Sequence, residues 1–159
     1  GDGSYLMMSS EIVTAVQEGI KLIIVLVDNH GFNSIGSLSR SLGTDGFGTQ
    51  YRYRQNGSIG RDSEKTPGAV LPIDLAASAA SLGAVAVKVK SVAELRTALD
   101  AAKRADRISV IAIEVDRYEG VPDYESWWDV PVAEVATPDA VKAARKDYEE
   151  SKKEERRYL

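Results

Sequence analysis

The 159-residue chain contains no cysteine, so it can build neither a disulfide framework nor a thiolate metal centre. Its formal net charge is only −4, and it shows no basic stripe of the kind that grips nucleic acid. Long apolar runs are also missing. The longest, residues 22–27, is far too short to cross a bilayer. No signal-peptide pattern opens the chain, no internal repeat is visible, and neither a P-loop nor a Rossmann GxGxxG pattern occurs. These absences lead us to expect a cytoplasmic protein that engages neither nucleic acid nor membrane. What is present suits one globular domain: 43% hydrophobic and 28% charged residues, enough to fill a core and solvate a surface.

Periodicity predicts four helices and three strands. Ile12, Val13, Val16 and Ile20 recur at helical spacing over residues 9–19, with Gly19 as the stop. Residues 21–28 form a continuous β-branched run, which predicts a strand covered on both faces, as in a parallel sheet. Asp74 is positioned to cap an Ala-rich helix ending at Gly83. Strands are expected over 85–89 and 108–115. Ser91 and Glu94 form a capping box for a helix to about residue 105. Thr137 as cap and Pro138 in the first turn open a last helix. Alternating strands and helices imply an α/β fold, a parallel sheet flanked by helices. We expect one domain over 1–135 followed by a charged C-terminal helix over 136–159. Residues 29–72 show no clear period, and a loop of that length is unusual unless it is functional or ordered by a ligand.

Two short segments carry chemistry. Gly1-Asp2-Gly3-Ser4 stands before a helix, and Asn29-His30-Gly31-Phe32 follows a strand, with Asp2 and Asn29 27 positions apart. Both fall at the sheet edge where open α/β folds bind ligands. A carboxylate and an amide oxygen are hard ligands suited to Mg²⁺ or Ca²⁺. The glycines beside Asp2 let a phosphate come close to the backbone, and the helix start offers it N–H groups. Either half alone is an ordinary turn. The pair, with a helix and a strand between, describes a metal-bridged diphosphate site.

This pairing resembles the cofactor motif of thiamine-diphosphate enzymes. The resemblance implies that Asp2, Asn29 and the Gly31 carbonyl hold Mg²⁺. It also implies that Gly1, Gly3, Ser4, Asn29, Gly31 and Phe32 meet thiamine diphosphate. One departure is that Asp28-Asn29 stands where many members have Asn-Asn; the metal-binding Asn is kept. Residues 27–36, 47–54 and 124–135, the last including Tyr124-Glu125-Ser126-Trp127-Trp128, are similar to one branch of the family. Its members are the inositol-catabolism hydrolases that open the ring of trihydroxycyclohexane-1,2-dione. That likeness implies a polyhydroxylated cyclic dione as substrate and a homo-oligomeric assembly. It further implies a pyrimidine-binding domain, of the same or a partner subunit, that supplies the activating Glu. The chain would then be a fragment with no catalytic residue of its own, lacking the strand that leads into Gly1. Two other readings stay open: a decarboxylase or acetolactate-type carboligase, and a non-catalytic nucleotide- or phosphate-binding module.

Other residues have plainer readings. Tyr51, Arg52, Tyr53 and Arg54 are possible donors to a polyhydroxylated ligand, but a solvated strand or a subunit contact explains each as well. His30, the sole histidine, is expected as a turn residue whose ring borders the metal loop. Trp127 and Trp128 are expected as packing or interface anchors. The mixed charges of residues 142–157 predict an exposed helix with ion pairs, including Glu149 with Lys153.

Overall fold

The computed structural model describes residues 1–46, 48–54, 69–121 and 127–156. They fall into two compact units, Gly1–Phe32 with Val70–Arg117, and Asn33–Ala69 with Tyr118–Leu159.

The first unit is the expected parallel α/β sheet. Its elements in chain order are α1 (Asp2–Met8), α2 (Glu11–Gln17) and β1 (Ile23–Asp28). In the second unit follows α3 (Asn33–Ser41), and the first unit resumes with α4 (Leu75–Ser81), β2 (Val85–Val89), α5 (Val92–Arg104) and β3 (Ser109–Glu114). The last helix, α6 (Asp139–Lys153), lies in the second unit. The strand order is β1-β3-β2, all parallel. Asp28 at the end of β1 is the register partner of Glu114 at the end of β3.

Local chemistry explains most boundaries. Gly19 takes a φ of +64° and Gly83 a φ of +99°. Behind them, the N–H groups of Ile20 and Ala84 reach back to the carbonyls of Ala15 and Ala79. These are the six-to-one bonds that close a helix on a left-handed glycine. Asp74 accepts from the Ala77 N–H at 2.9 Å, as its sequence position suggests. Ser91 accepts from the Glu94 N–H at 3.2 Å, while Glu94 reaches one residue beyond the usual box and accepts from the Lys90 N–H.

Four expectations need correction. The helix expected over residues 9–19 is shorter, α2 over Glu11–Gln17, and a separate helix, α1, precedes it. At the Ser9-Ser10 junction the N–H groups of Ile12 and Val13 bond three residues back instead of four, which tightens the turn. Ile12 and Ala15 consequently face the core, while Val13, Val16 and Ile20 stay more than two-fifths exposed. The second correction is that β1 is covered on one face only. Leu26 is buried, but Ile23, Val25 and Val27 are each about 40% exposed. Only the central strand β3 is buried on both faces, from Ser109 through Ala112. Third, Thr137 does not cap the last helix; Pro138 occupies the cap position and its carbonyl accepts the first helical bond, from Lys142. Fourth, the aperiodic stretch after residue 29 begins with the helix α3. Within the rest of the expected ligand-ordered loop, residues 47 and 55–68 lie outside the described residues.

Two clusters hold the sheet. Tyr5, Ile12, Ala15, Leu26, Leu75, Ala79, Ile108, Val110 and Ala112 fill the face under α1, α2 and α4. Val89, Ala102 and Ile111 pack under α5 with Leu95, Ala98, Leu99 and Ile113. In the second unit, Val132, Val141 and Tyr148 pack with Leu42, Ala136 and Ala144. There α6 is amphipathic rather than exposed all round. Its Glu149 pairs with Arg145 at 2.8 Å in place of the expected Lys153. Gly43, at φ +84°, passes so close to the Ala140 carbonyl that a Cβ would lie 2.5 Å from it. Among the described residues no helix is long and apolar enough to cross a membrane.

Candidate functional site

The two motif halves meet. Asp2, the first residue of α1, is 1% exposed, and a carboxylate so buried needs donors. The turn after β1 provides them. The Gly31 N–H donates to Asp2 Oδ2 at 2.6 Å, and the Asn29 N–H approaches Oδ1 at 3.4 Å. The Asn29 side-chain amide lies in the same place, its inner terminal atom 3.2 Å from Asp2 Oδ1 and 3.0 Å from the Gly31 carbonyl oxygen. Turned nitrogen-in, the amide donates to both oxygens. Turned oxygen-in, it brings three oxygens together with no proton between them. No group of three or more His, Asp or Glu side chains placed to hold a metal occurs among the described residues, so this set of one carboxylate, one amide and one carbonyl has no competitor of that kind.

The glycines of the motif differ in what they do. A Cβ on Gly3 would lie 2.6–3.0 Å from three ring carbons of Phe32, so the bare backbone at Gly3 lets that ring pack against α1. A Cβ on Gly1 would meet only the Val27 carbonyl, at 3.8 Å. Gly1 and Ser4 open onto a cavity of about 280 Å³ bounded by α1, α2 and β1. The first N–H groups of α1 are the ones that lack intrahelical acceptors.

Beside the turn stands a charged network that the sequence did not announce. His30, at φ +59°, is the one non-glycine residue in the left-handed region among those described. Its Nε2 lies 2.7 Å from Glu114 Oε1 and its Nδ1 3.2 Å from Asp28 Oδ1. Its backbone N–H donates to Asp28 Oδ1 at 3.1 Å. Burial pushes the Asp28 carboxyl above its ordinary pKa, against the pull of the His30 N–H, and nearby Asp2 and Glu114 add to the rise. Glu114 moves the other way, held down mainly by its bond to His30. The oddity of Asp28 was visible in sequence as a departure from Asn-Asn; nothing in sequence pointed to Glu114.

The remaining candidates lie in the second unit. Arg52 is 5% exposed rather than solvated, with Nη1 donating to the Tyr51 carbonyl at 3.0 Å, while Tyr53 is half exposed. Trp127 stacks on Tyr148 at a centroid distance of 6.3 Å but stays 46% exposed. Trp128 is 67% exposed. Tyr124, Glu125 and Ser126 lie outside the described residues.

A parallel sheet with a carboxylate, an amide and bare backbone gathered at a strand's carboxyl end defines an α/β domain of the cofactor-binding kind. The sequence comparison makes the class specific: residues 1–113 match the family of the thiamine pyrophosphate enzyme, C-terminal TPP binding domain, and the chain belongs to that family. Among curated proteins it is 43% identical over 144 residues to 3D-(3,5/4)-trihydroxycyclohexane-1,2-dione hydrolases 2 and 1 of Bacillus cereus. It is 42% identical to the hydrolase of the same name from Bacillus anthracis. Each alignment covers 91% of this chain and 22% of the relative, so the chain spans under a quarter of the length of the proteins it matches.

Proposed function

We propose that this chain is the diphosphate- and metal-gripping part of a thiamine-diphosphate-dependent hydrolase that opens the ring of 3D-(3,5/4)-trihydroxycyclohexane-1,2-dione in inositol catabolism. The observation that carries the site reading is the convergence of Asp2 Oδ1, the Asn29 amide and the Gly31 carbonyl within 3.0–3.2 Å of one another along two edges. Oxygens in adjacent positions around Mg²⁺, with bonds of about 2.1 Å, stand about 3.0 Å apart. The donor set is all hard oxygen, and the amide needs only to present its oxygen. The substrate reading rests on 43% identity over nearly the whole chain to hydrolases so named.

In this proposal Asp2, Asn29 and the Gly31 carbonyl hold Mg²⁺. Gly1, Gly3 and Ser4 present backbone N–H groups to the diphosphate, and Asn29, Gly31 and Phe32 line the same end. When bound, thiamine diphosphate supplies a nucleophilic carbon and an electron sink for breaking the carbon–carbon bond beside a ketone. The chain's own contribution is orientation and charge balance: the metal lets the Asp2 carboxylate and an anionic diphosphate share one site. The group that activates the cofactor is assigned to a pyrimidine-binding domain of the same or a partner subunit, within a homo-oligomer of the cytoplasm.

The test uses the full-length protein. Calorimetry should show thiamine diphosphate binding with Mg²⁺, and loss of binding in EDTA or in Asp2→Ala. Ring-opened acid should form from the cyclic dione and no acetolactate from pyruvate. Equal cofactor affinity in EDTA and Mg²⁺ would sink the metal assignment, and turnover of pyruvate alone would sink the substrate assignment.

A further inference from the structure

We infer that His30 is a positioning residue, whose imidazole ties the turn bearing Asn29 and Gly31 to the carboxyl ends of β1 and β3 and so holds their oxygens toward Asp2. This rests on the metal-site reading above and goes beyond it, since His30 is not itself a ligand there.

The first observation is backbone conformation. A left-handed φ of +59° costs an L side chain energy that glycine does not spend. A turn needing only that shape is met most cheaply by Gly or Asn. Strain of this kind, where surroundings over-determine it, points to a task for the side chain.

The second observation is what the side chain does. Asp28 and Glu114 are register partners on adjacent parallel strands, so their side chains leave the sheet on the same face, one strand spacing or about 4.8 Å apart. Two carboxylates so placed repel. The His30 ring lies against both, 2.7 Å from Glu114 and 3.2 Å from Asp28. A hydrogen bond to an ionised carboxylate is shorter and stronger than a neutral one. Lys88, at the end of β2, stands 3.9 Å from the other oxygen of Glu114, which extends the network across all three strands. On the opposite side, Asp2 holds the N–H groups of Asn29 and Gly31. The turn is thus gripped twice, by Asp2 through the backbone and by the strand ends through the His30 N–H and ring, of which only the ring reaches Glu114.

The consequence is specific. Without the ring, the turn loses its tie to Glu114 and keeps only the His30 backbone N–H on Asp28, so the Asn29 amide and Gly31 carbonyl gain freedom relative to Asp2. Metal affinity should fall more than fold stability. Partners that orient metal ligands typically change affinity by roughly 10- to 100-fold when removed.

The experiment compares His30→Asn, Glu114→Ala and Glu114→Gln in the full-length protein. His30→Asn keeps a residue that tolerates the left-handed turn but cannot span both carboxylates. Glu114→Gln keeps a neutral hydrogen-bond partner for the ring. The readouts are the Mg²⁺ concentration for half-maximal thiamine-diphosphate binding, by calorimetry and by cofactor circular dichroism, and the Tm of the metal-free protein. His30→Asn and Glu114→Ala should need roughly tenfold more Mg²⁺, with Tm little changed and Glu114→Gln closer to wild type. Wild-type Mg²⁺ dependence in His30→Asn overturns the inference. So does a loss of binding that only tracks a fall in Tm and is no smaller in Glu114→Gln than in Glu114→Ala. Asp2→Ala separates the two levels. If Asp2→Ala abolishes metal-dependent binding and His30→Asn does not weaken it, only the His30 inference fails. If wild type binds equally in EDTA, the metal reading beneath it fails.

Discussion

Gly3→Ala is the sharpest perturbation that the geometry offers. One methyl is added to α1, where its position would lie 2.6, 2.7 and 3.0 Å from Cδ1, Cε1 and Cγ of Phe32. Contacts below van der Waals distance with Cγ cannot be relieved by the tip of the ring alone, so the whole side chain must move. Phe32 directly follows Gly31, whose N–H holds Asp2 at 2.6 Å, and displacement of the ring therefore loads the turn. Overpacking of this sort costs about 1–3 kcal/mol, while Gly to Ala inside a helix returns at most about 1 kcal/mol. We expect a net loss of about 0–3 kcal/mol, with a larger proportional loss of cofactor affinity because the strain falls on the turn. Gly1→Ala is the control for stability alone, since its nearest protein neighbour would be a carbonyl at 3.8 Å while Gly1 itself belongs to the proposed diphosphate site. The assay is denaturant unfolding plus calorimetric binding of thiamine diphosphate with Mg²⁺, for both variants and for Gly3→Ala combined with Phe32→Ala. Residues in contact should couple, so the double variant should lose less than the sum of the singles. Gly3→Ala with wild-type affinity, or strictly additive losses, would refute the steric account.

Three further outcomes follow from burial and charge. Asp28 has a raised folded-state pKa, set chiefly by burial, so its ionisation opposes folding as pH rises through that value. Asp28→Asn should therefore raise the denaturation midpoint at neutral pH and lose that advantage in acid, provided the amide oxygen keeps the His30 N–H. Glu114 has a lowered pKa, due first to its bond with His30; its contribution is present above the unfolded carboxylate range and is lost as pH falls through the folded value. The Glu114 side chain is 55% exposed, so the effect is small, and Glu114→Gln should flatten the part of a stability-versus-pH profile that falls on acidification below the ordinary carboxylate range. Ile111, 1% exposed between the sheet and α5, should cost about 2–5 kcal/mol as Ile111→Ala, read as a lower denaturation midpoint with an unchanged m-value.

Much of this was legible from local chemistry. Strand positions over 85–89 and 109–114, the stops at Gly19 and Gly83, and the caps at Asp74 and Ser91 depend on residues near in sequence, and the structure has them there. The pairing of Asp2 with Asn29 could be read because a helical stretch and then a strand link them, and that passage carries the chain away from the sheet edge and back to it. Local chemistry failed where neighbours from elsewhere decide. Whether β1 is covered on both faces depends on how far α5 extends over it, and the valines of a half-exposed strand read the same as those of a buried one. The split at Ser9-Ser10 is a choice between bonds three and four residues back, too nearly balanced for periodicity to register. Most of all, tertiary structure decided the surroundings of His30. Asp28 and Glu114 stand 86 positions apart in the chain and become neighbours only through parallel register between β1 and β3. A histidine between them is an ordinary turn residue in one dimension; in three it is the link between two strand ends, because hydrogen bonding of the sheet, which no local pattern encodes, brings the carboxylates to it.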